Sequence, residues 1–188
     1  MKKNILLILS VLSITTTTYC QTSFGIKGGI NYANLGGAAA GVKSKITFHA
    51  GLFGIIKPSD RFGIQPEIVF SRQGAAMALD PDVKINYDYV NIPLMLNYYP
   101  TEIFYVQAGP QLGLVVSGKI TNGKDSEDVT DQLNSTDLAL GIGFGFDLRF
   151  ATIGLRYNGG LSSTTDGGND GEKFINEVLQ LSIGLKFN

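Results

Sequence analysis

From Leu138 to Phe150 the chain alternates without a break. The even positions are Leu138, Leu140, Ile142, Phe144, Phe146, Leu148 and Phe150, and the odd ones Ala139, Gly141, Gly143, Gly145, Asp147 and Arg149. Side chains point to opposite faces along a β-strand, so one face of this segment is large and apolar and the other small or charged. In a soluble sheet a large apolar face turns to a core; in a membrane barrel it turns to lipid while the polar face lines the lumen. One strand does not separate these cases, but a whole chain of such strands does.

The same alternation recurs along the sequence. Phe24, Ile26, Ile30 and Tyr32 oppose Lys27 and Asn31, and Phe62, Ile64, Pro66, Ile68 and Phe70 oppose Gln65, Glu67, Ser71 and Gln73. Val90, Ile92, Leu94, Leu96 and Tyr98 oppose Asn91, Pro93, Met95 and Asn97; Phe104, Val106, Ala108, Leu112, Leu114 and Val116 oppose Tyr105, Gln107 and Gln111. Ile153, Leu155 and Tyr157 face Arg156 and Asn158, and the last segment sets Leu179, Leu181, Ile183, Leu185 and Phe187 against Gln180, Ser182 and Lys186. Ile46 to Lys57 is the weakest, with Phe53 and Ile55 on the face that carries Thr47 and His49. Eight segments of roughly nine to thirteen residues suit a tilted crossing of a bilayer, whereas strands of globular sheets are nearer five or six.

The connections alternate in length: 33–45 long, 58–61 short, 74–86 long, 99–102 short, 119–136 long, 151–152 short and 162–176 long. Outer-membrane barrels have short periplasmic turns and long outer loops, with both termini periplasmic when the strand number is even. The expected fold is an all-β, eight-stranded antiparallel up-and-down transmembrane β-barrel.

The chain's start changes the picture in one respect. Lys2 and Lys3, an apolar run from Ile5 to Ile14 and the short polar residues after it have the layout of a secretory signal, too short for a spanning helix. Residues 1–20 are expected to be a cleaved signal peptide and 21–188 a single barrel domain in the cell outer membrane of a Gram-negative bacterium. Cys20, the one cysteine, leaves a lipoprotein open as an alternative, although Thr18 and Tyr19 match poorly the small residues that such signals prefer. Without it the mature chain has no thiol for disulfides, Cys-ligated metals or Cys catalysis. Taking Lys2 and Lys3 from fifteen basic residues leaves thirteen against sixteen acidic ones, with no basic stripe, which excludes a nucleic-acid partner.

The segments Tyr89-Val-Asn-Ile-Pro-Leu-Met-Leu-Asn-Tyr-Tyr99 and Tyr105-Val-Gln-Ala-Gly-Pro-Gln-Leu-Gly113 resemble the PorT-like outer-membrane β-barrel family, whose members are often labelled porin-like. Phe62-Gly-Ile-Gln-Pro-Glu-Ile-Val-Phe-Ser71 and Phe24-Gly-Ile-Lys-Gly-Gly-Ile-Asn31 are similar to it as well. The resemblance covers essentially all of the mature chain and implies a barrel in an outer membrane, in some members with a part in protein secretion, and no catalytic residue. Leu185-Lys-Phe187 resembles the aromatic-ended signal taken up by the barrel-assembly machinery, except that Asn188 follows the aromatic.

Candidate chemistry is sparse. His49 is the only histidine, so a Ser-His-Asp arrangement or a His-ligated metal would have to use it, and nothing at nucleophile spacing supports one. The glycines of Gly141-Ile-Gly-Phe-Gly145 fall on one strand face with no helix following, which fits small lumen residues and not a phosphate loop. Asp166-Gly-Gly-Asn-Asp170-Gly171 with Glu177 copies part of a calcium-loop spacing, but position three is Gly168, and a solvated acidic loop is the simpler reading. The loop with Asp125, Glu127, Asp128 and Asp131 against Lys119 and Lys124 is also acidic. No cofactor or metal is expected.

The expected lumen network is Lys27, Glu67, Gln107, Asp147, Arg149, Arg156 and Lys186. Eight strands enclose a space that side chains can fill, so ion pairs are expected across it, Glu67 to Arg156 or Lys27 first, with Gln65, Gln107 and Gln111 around them. The leading expectation is a non-enzymatic structural or accessory barrel. Its partners are outer-membrane lipid, the barrel-assembly machinery during biogenesis and a protein met through the long outer loops. A narrow channel or solute-binding barrel, a lipid-modifying enzyme and a soluble lipocalin-like carrier are the alternatives; the last needs an apolar interior that these polar residues do not provide.

Overall fold

In a computed structural model of the chain, the described residues are 21–36, 42–77, 83–122, 125–130, 135–161 and 175–187. The signal segment with Cys20, residues 166–171 of the calcium-like spacing, Lys124, Asp131 and Asn188 lie outside them. The strands are β1 (Gln21–Gly36), β2 (Val42–Ser59), β3 (Phe62–Met77), β4 (Val83–Tyr98), β5 (Phe104–Asn122), β6 (Asp125–Asp128), β7 (Thr136–Asp147), β8 (Ala151–Gly160) and β9 (Ile175–Phe187). Neighbours pair antiparallel in the order β4-β3-β2-β1-β9-β8-β7-β5, and β4 pairs with β5, so eight strands close on themselves. Closure leaves no open sheet edge within the barrel, as a backbone crossing hydrocarbon requires. Among the described residues no helix is long and apolar enough to cross a membrane.

The fold is inside out relative to a soluble sheet. Ile26, Leu52, Ile68, Leu94, Ile142 and Leu181 are exposed on the outer surface, while Asn31, Glu67, Asn91, Gln107, Arg156 and Gln180 are buried. Polarity inside and apolar surface outside is the arrangement that lipid selects. Aromatic rings belt the end that carries the short turns: Phe24 meets Phe187 at 6.0 Å, Phe62 meets Tyr98 at 5.4 Å and Phe104 meets Phe146 at 5.6 Å between centroids.

Several boundaries differ from the sequence expectation. The strands run on into the segments expected as long loops, by four residues at each of β1, β2, β3 and β4. There polar residues such as Lys45 and Asn86 stand among apolar ones such as Ala75 and Ile85, so alternation fades while backbone pairing continues. Within 119–136 the short β6 folds back on Lys119 to Asn122 of β5. The last short turn falls at Leu148 to Phe150, not Ala151-Thr152, with the Leu148 N–H donating to the Ala151 carbonyl at 2.8 Å. On β2 the buried face carries His49, Phe53 and Ile55, and lipid meets Ile46, Phe48, Leu52 and Ile56. Large apolar side chains thus occur on both faces of that strand, which is why its alternation is weak.

Glycines make room for two interior rings. A Cβ on Gly25 of β1 or Gly184 of β9 would lie 2.8 Å from the Phe53 ring, which comes from β2 and covers both strands. A Cβ on Gly145 or Gly154 would lie 2.6 or 2.9 Å from the Tyr105 hydroxyl.

Candidate functional site

The lumen is filled in layers. Nearest the short turns, Asp147 on β7 sits between Lys57 Nζ at 2.7 Å and Lys186 Nζ at 2.6 Å, and the Tyr99 hydroxyl donates to it at 3.3 Å. Lys57 also lies 3.9 Å from the centroid of the Tyr99 ring, a cation–π contact. A hollow of about 280 Å³ lined by Gln21, Thr22, Ser23, Lys57, Asp147 and Lys186 opens at this end.

Above it lies the Glu67 layer. Arg156 grips the carboxylate with both terminal nitrogens, at 2.9 and 2.6 Å, Lys27 Nζ approaches at 3.0 Å, and Gln65 Nε2 donates at 2.6 Å. Arg156 Nη2 donates further to Gln107 Oε1 at 2.9 Å, and Asn97 donates to Gln65 at 2.7 Å. The fork matches a carboxylate in two places at once, which fixes orientation as well as charge.

The next layer is neutral. Asn31 Nδ2 donates to the Phe48 and Arg72 carbonyls and to Ser71 Oγ, at 3.0, 2.9 and 3.0 Å, and Gln180 donates to Asn31 Oδ1 at 3.1 Å. His49 Nδ1 lies 2.7 Å from the same Asn31 Oδ1, and its Nε2 lies 2.8 Å from Ser182 Oγ. An acceptor at Nδ1 places the ring proton there, so Nε2 accepts from Ser182. Toward the long-loop end a cavity of about 10 Å³ is lined by Asn91, Gln111, Asp137, Asn158 and Asn176 among others, room for about one water. Ala75, Tyr87 and Tyr89, with Ile85 and Val115 against them, then pack as an apolar cap. Outside it Arg72 pairs with Asp88 through two bonds of 2.7 and 2.8 Å.

Of the expected lumen residues, the structure brings Lys27, Glu67, Gln107 and Arg156 into one cluster and Asp147 with Lys186 into another. Arg149 is corrected: it lies exposed in the 148–150 turn with its guanidinium 5.0 Å from the Phe150 ring centroid, because β7 ends at Asp147. Lys57 was missed, although it shares the parity of His49, Phe53 and Ile55 along β2. The meeting of Ser182, His49 and Asn31 was missed as well, since Ser182 and His49 are 133 positions apart and only barrel closure joins them.

Among the described residues no three His, Cys, Asp or Glu side chains form a metal-holding group. Glu177, the end of the calcium-like spacing, sits within β9 opposite Asn34 and Gly159. On the β5–β6 hairpin, the Thr130 hydroxyl donates to Asp128 at 2.5 Å and holds that carboxyl below its usual range.

The family model described as outer membrane protein beta-barrel domain matches residues 20–166. No curated protein matches the sequence. Among solved structures, the chain is similar to Ail, the attachment invasion locus protein of Yersinia pestis, at 18% identity over 88% of this chain and 97% of that one, with a TM-score of 0.52. The same protein in complex with the heparin analogue sucrose octasulfate gives 16% identity over 89% and 99%, TM-score 0.51. Neisserial surface protein A is similar at 10% identity over 89% and 99%, TM-score 0.56. At such identities the likeness is one of fold.

Proposed function

The chain belongs to the outer membrane protein beta-barrel domain family, and from that premise we propose that it is a non-conducting barrel with a structural or accessory role, exported behind a cleaved signal and engaging a partner through its outer loops. The PorT-like sequence segments favour an accessory part in secretion within that class. The observation that carries the reading is the filled lumen: the Asp147 and Glu67 layers and the tyrosine cap succeed one another along the axis, and among the described residues two cavities of about 10 Å³ each lie along it. An ion crossing such an interior would have to break the bidentate Arg156–Glu67 pair, whereas open aqueous channels belong to barrels of about 16 strands. Ail is seen with a heparin analogue, but the β5–β6 hairpin here carries Asp125, Glu127 and Asp128 and repels a polysulfate, so no such ligand is assigned. Purified protein in planar bilayers is expected to give no stable unitary conductance. Reproducible channels with a defined ion selectivity would replace this reading by a narrow channel or solute-binding barrel.

One observation favours a second reading, a lipid-modifying hydrolase. Ser182, His49 and Asn31 are linked in the order of a nucleophile, base and orienting group at 2.8 and 2.7 Å. Against it, Ser182 opens only on a cavity of about 10 Å³, enough for about one water and far too small for an acyl chain. A fluorophosphonate probe is expected to leave the folded protein unlabelled. Labelling that Ser182→Ala abolishes would establish a reactive serine and favour the hydrolase.

A further inference from the structure

The Glu67 layer contains more positive than negative charge. Lys27 and Arg156 share one carboxylate, with side chains 8%, 4% and 0% exposed for Lys27, Arg156 and Glu67. One unit of positive charge is therefore left inside the barrel, where uncompensated charge is strongly unfavourable. Beside it lies a cavity of about 10 Å³ lined by Lys27, Arg156, Gln65, Gln107, Tyr105 and Ser182 among others, with no acidic side chain on its wall. The Arg156 Nε–H is buried and has no acceptor among the described residues. Charge, a spare donor and a space walled by cations and neutral polar groups coincide at one place.

We propose that this cavity is a halide site, binding one chloride between Lys27 and Arg156. A water there can accept from a donor but leaves the net charge in place. A phosphate or sulfate carries the charge but exceeds a cavity that holds about one water-sized particle. The Asp147 layer has a similar excess, Lys57 and Lys186 against one carboxylate, yet it adjoins the 280 Å³ hollow, where solvent and mobile ions screen it. The chloride belongs to the enclosed layer, where screening is weakest. The other way to remove the excess is a neutral Lys27 amine, which needs no anion.

The test uses the folded full barrel in detergent, unfolded by urea at constant ionic strength as sodium chloride replaces sodium gluconate. Above saturation the unfolding equilibrium constant should fall about tenfold for each tenfold rise in chloride, and bromide should give an anomalous peak between Lys27 and Arg156 in crystals. Lys27→Gln removes the excess charge and should abolish the halide dependence. Unfolding indifferent to chloride, as a neutral Lys27 predicts, overturns the proposal, and so does halide dependence that survives Lys27→Gln. If that variant does not fold, the bromide position in the parent protein decides, and a peak elsewhere overturns the assignment.

Discussion

Replacing Glu67 with glutamine is expected to cost about 3–5 kcal/mol of stability, the range for breaking a buried ion pair from one side. The loss exceeds that of a hydrogen bond because the change takes from Lys27 and Arg156 the carboxylate that both share. Both come from strands of the closed barrel wall, β1 and β8, which flank β9, and neither can swing out to water without breaking the layer. Adding Lys27→Met to Glu67→Gln should recover part of the loss, since the excess then returns to one charge. Urea unfolding midpoints of the three proteins measure this directly, and a Glu67→Gln midpoint equal to the parent's would show that the pairs contribute nothing.

Ile142→Arg should have an effect of similar size on assembly. Ile142 is halfway along the apolar face of β7, 54% exposed, with Ala108 and Tyr157 opposite it on the flanking strands. Arginine at the bilayer midplane of a barrel costs about 2–4 kcal/mol, falling toward zero at the interfaces. Insertion into liposomes, followed by the gel shift of the folded barrel, should fail for Ile142→Arg and proceed normally for Glu102→Arg in the exposed short turn. Equal insertion of the two variants would mean that the outer face does not lie in lipid.

Both effects rest on features legible in the sequence to different degrees. The bilayer imposes strict alternation, so the face of Ile142, Glu67 or Arg156 follows from parity alone. Parity says nothing of height or stagger, and these decide that Glu67 meets Arg156 while Asp147 meets Lys57 and Lys186. Alternation also vanishes where the constraint does, beyond the membrane, which hid the outer parts of β1 to β5 and all of β6. Arg149 was misplaced for a related reason: the outward alternation of Leu148 and Phe150 continues past the end of β7, because turn residues at the membrane surface are also apolar. Phe53 obscured β2 from the other side, as an apolar ring belonging to the interior.

That ring also bears on the order of assembly. β1 and β9 are the ends of the barrel chain, so their seam has the largest sequence separation of the strand pairs and is entropically the costliest to close. Phe53 reaches the lumen from β2 and roofs that seam, and only Gly25 and Gly184 leave space beneath it. A one-residue slip of β9 along β1 would turn its apolar face inward. A two-residue slip keeps the faces but brings Ser182 or Lys186 to the place of Gly184, where a side chain collides with the ring. The ring therefore acts as a proofreader of the last step, admitting the closing strand in one register and rejecting the nearest register that the lipid alone would tolerate.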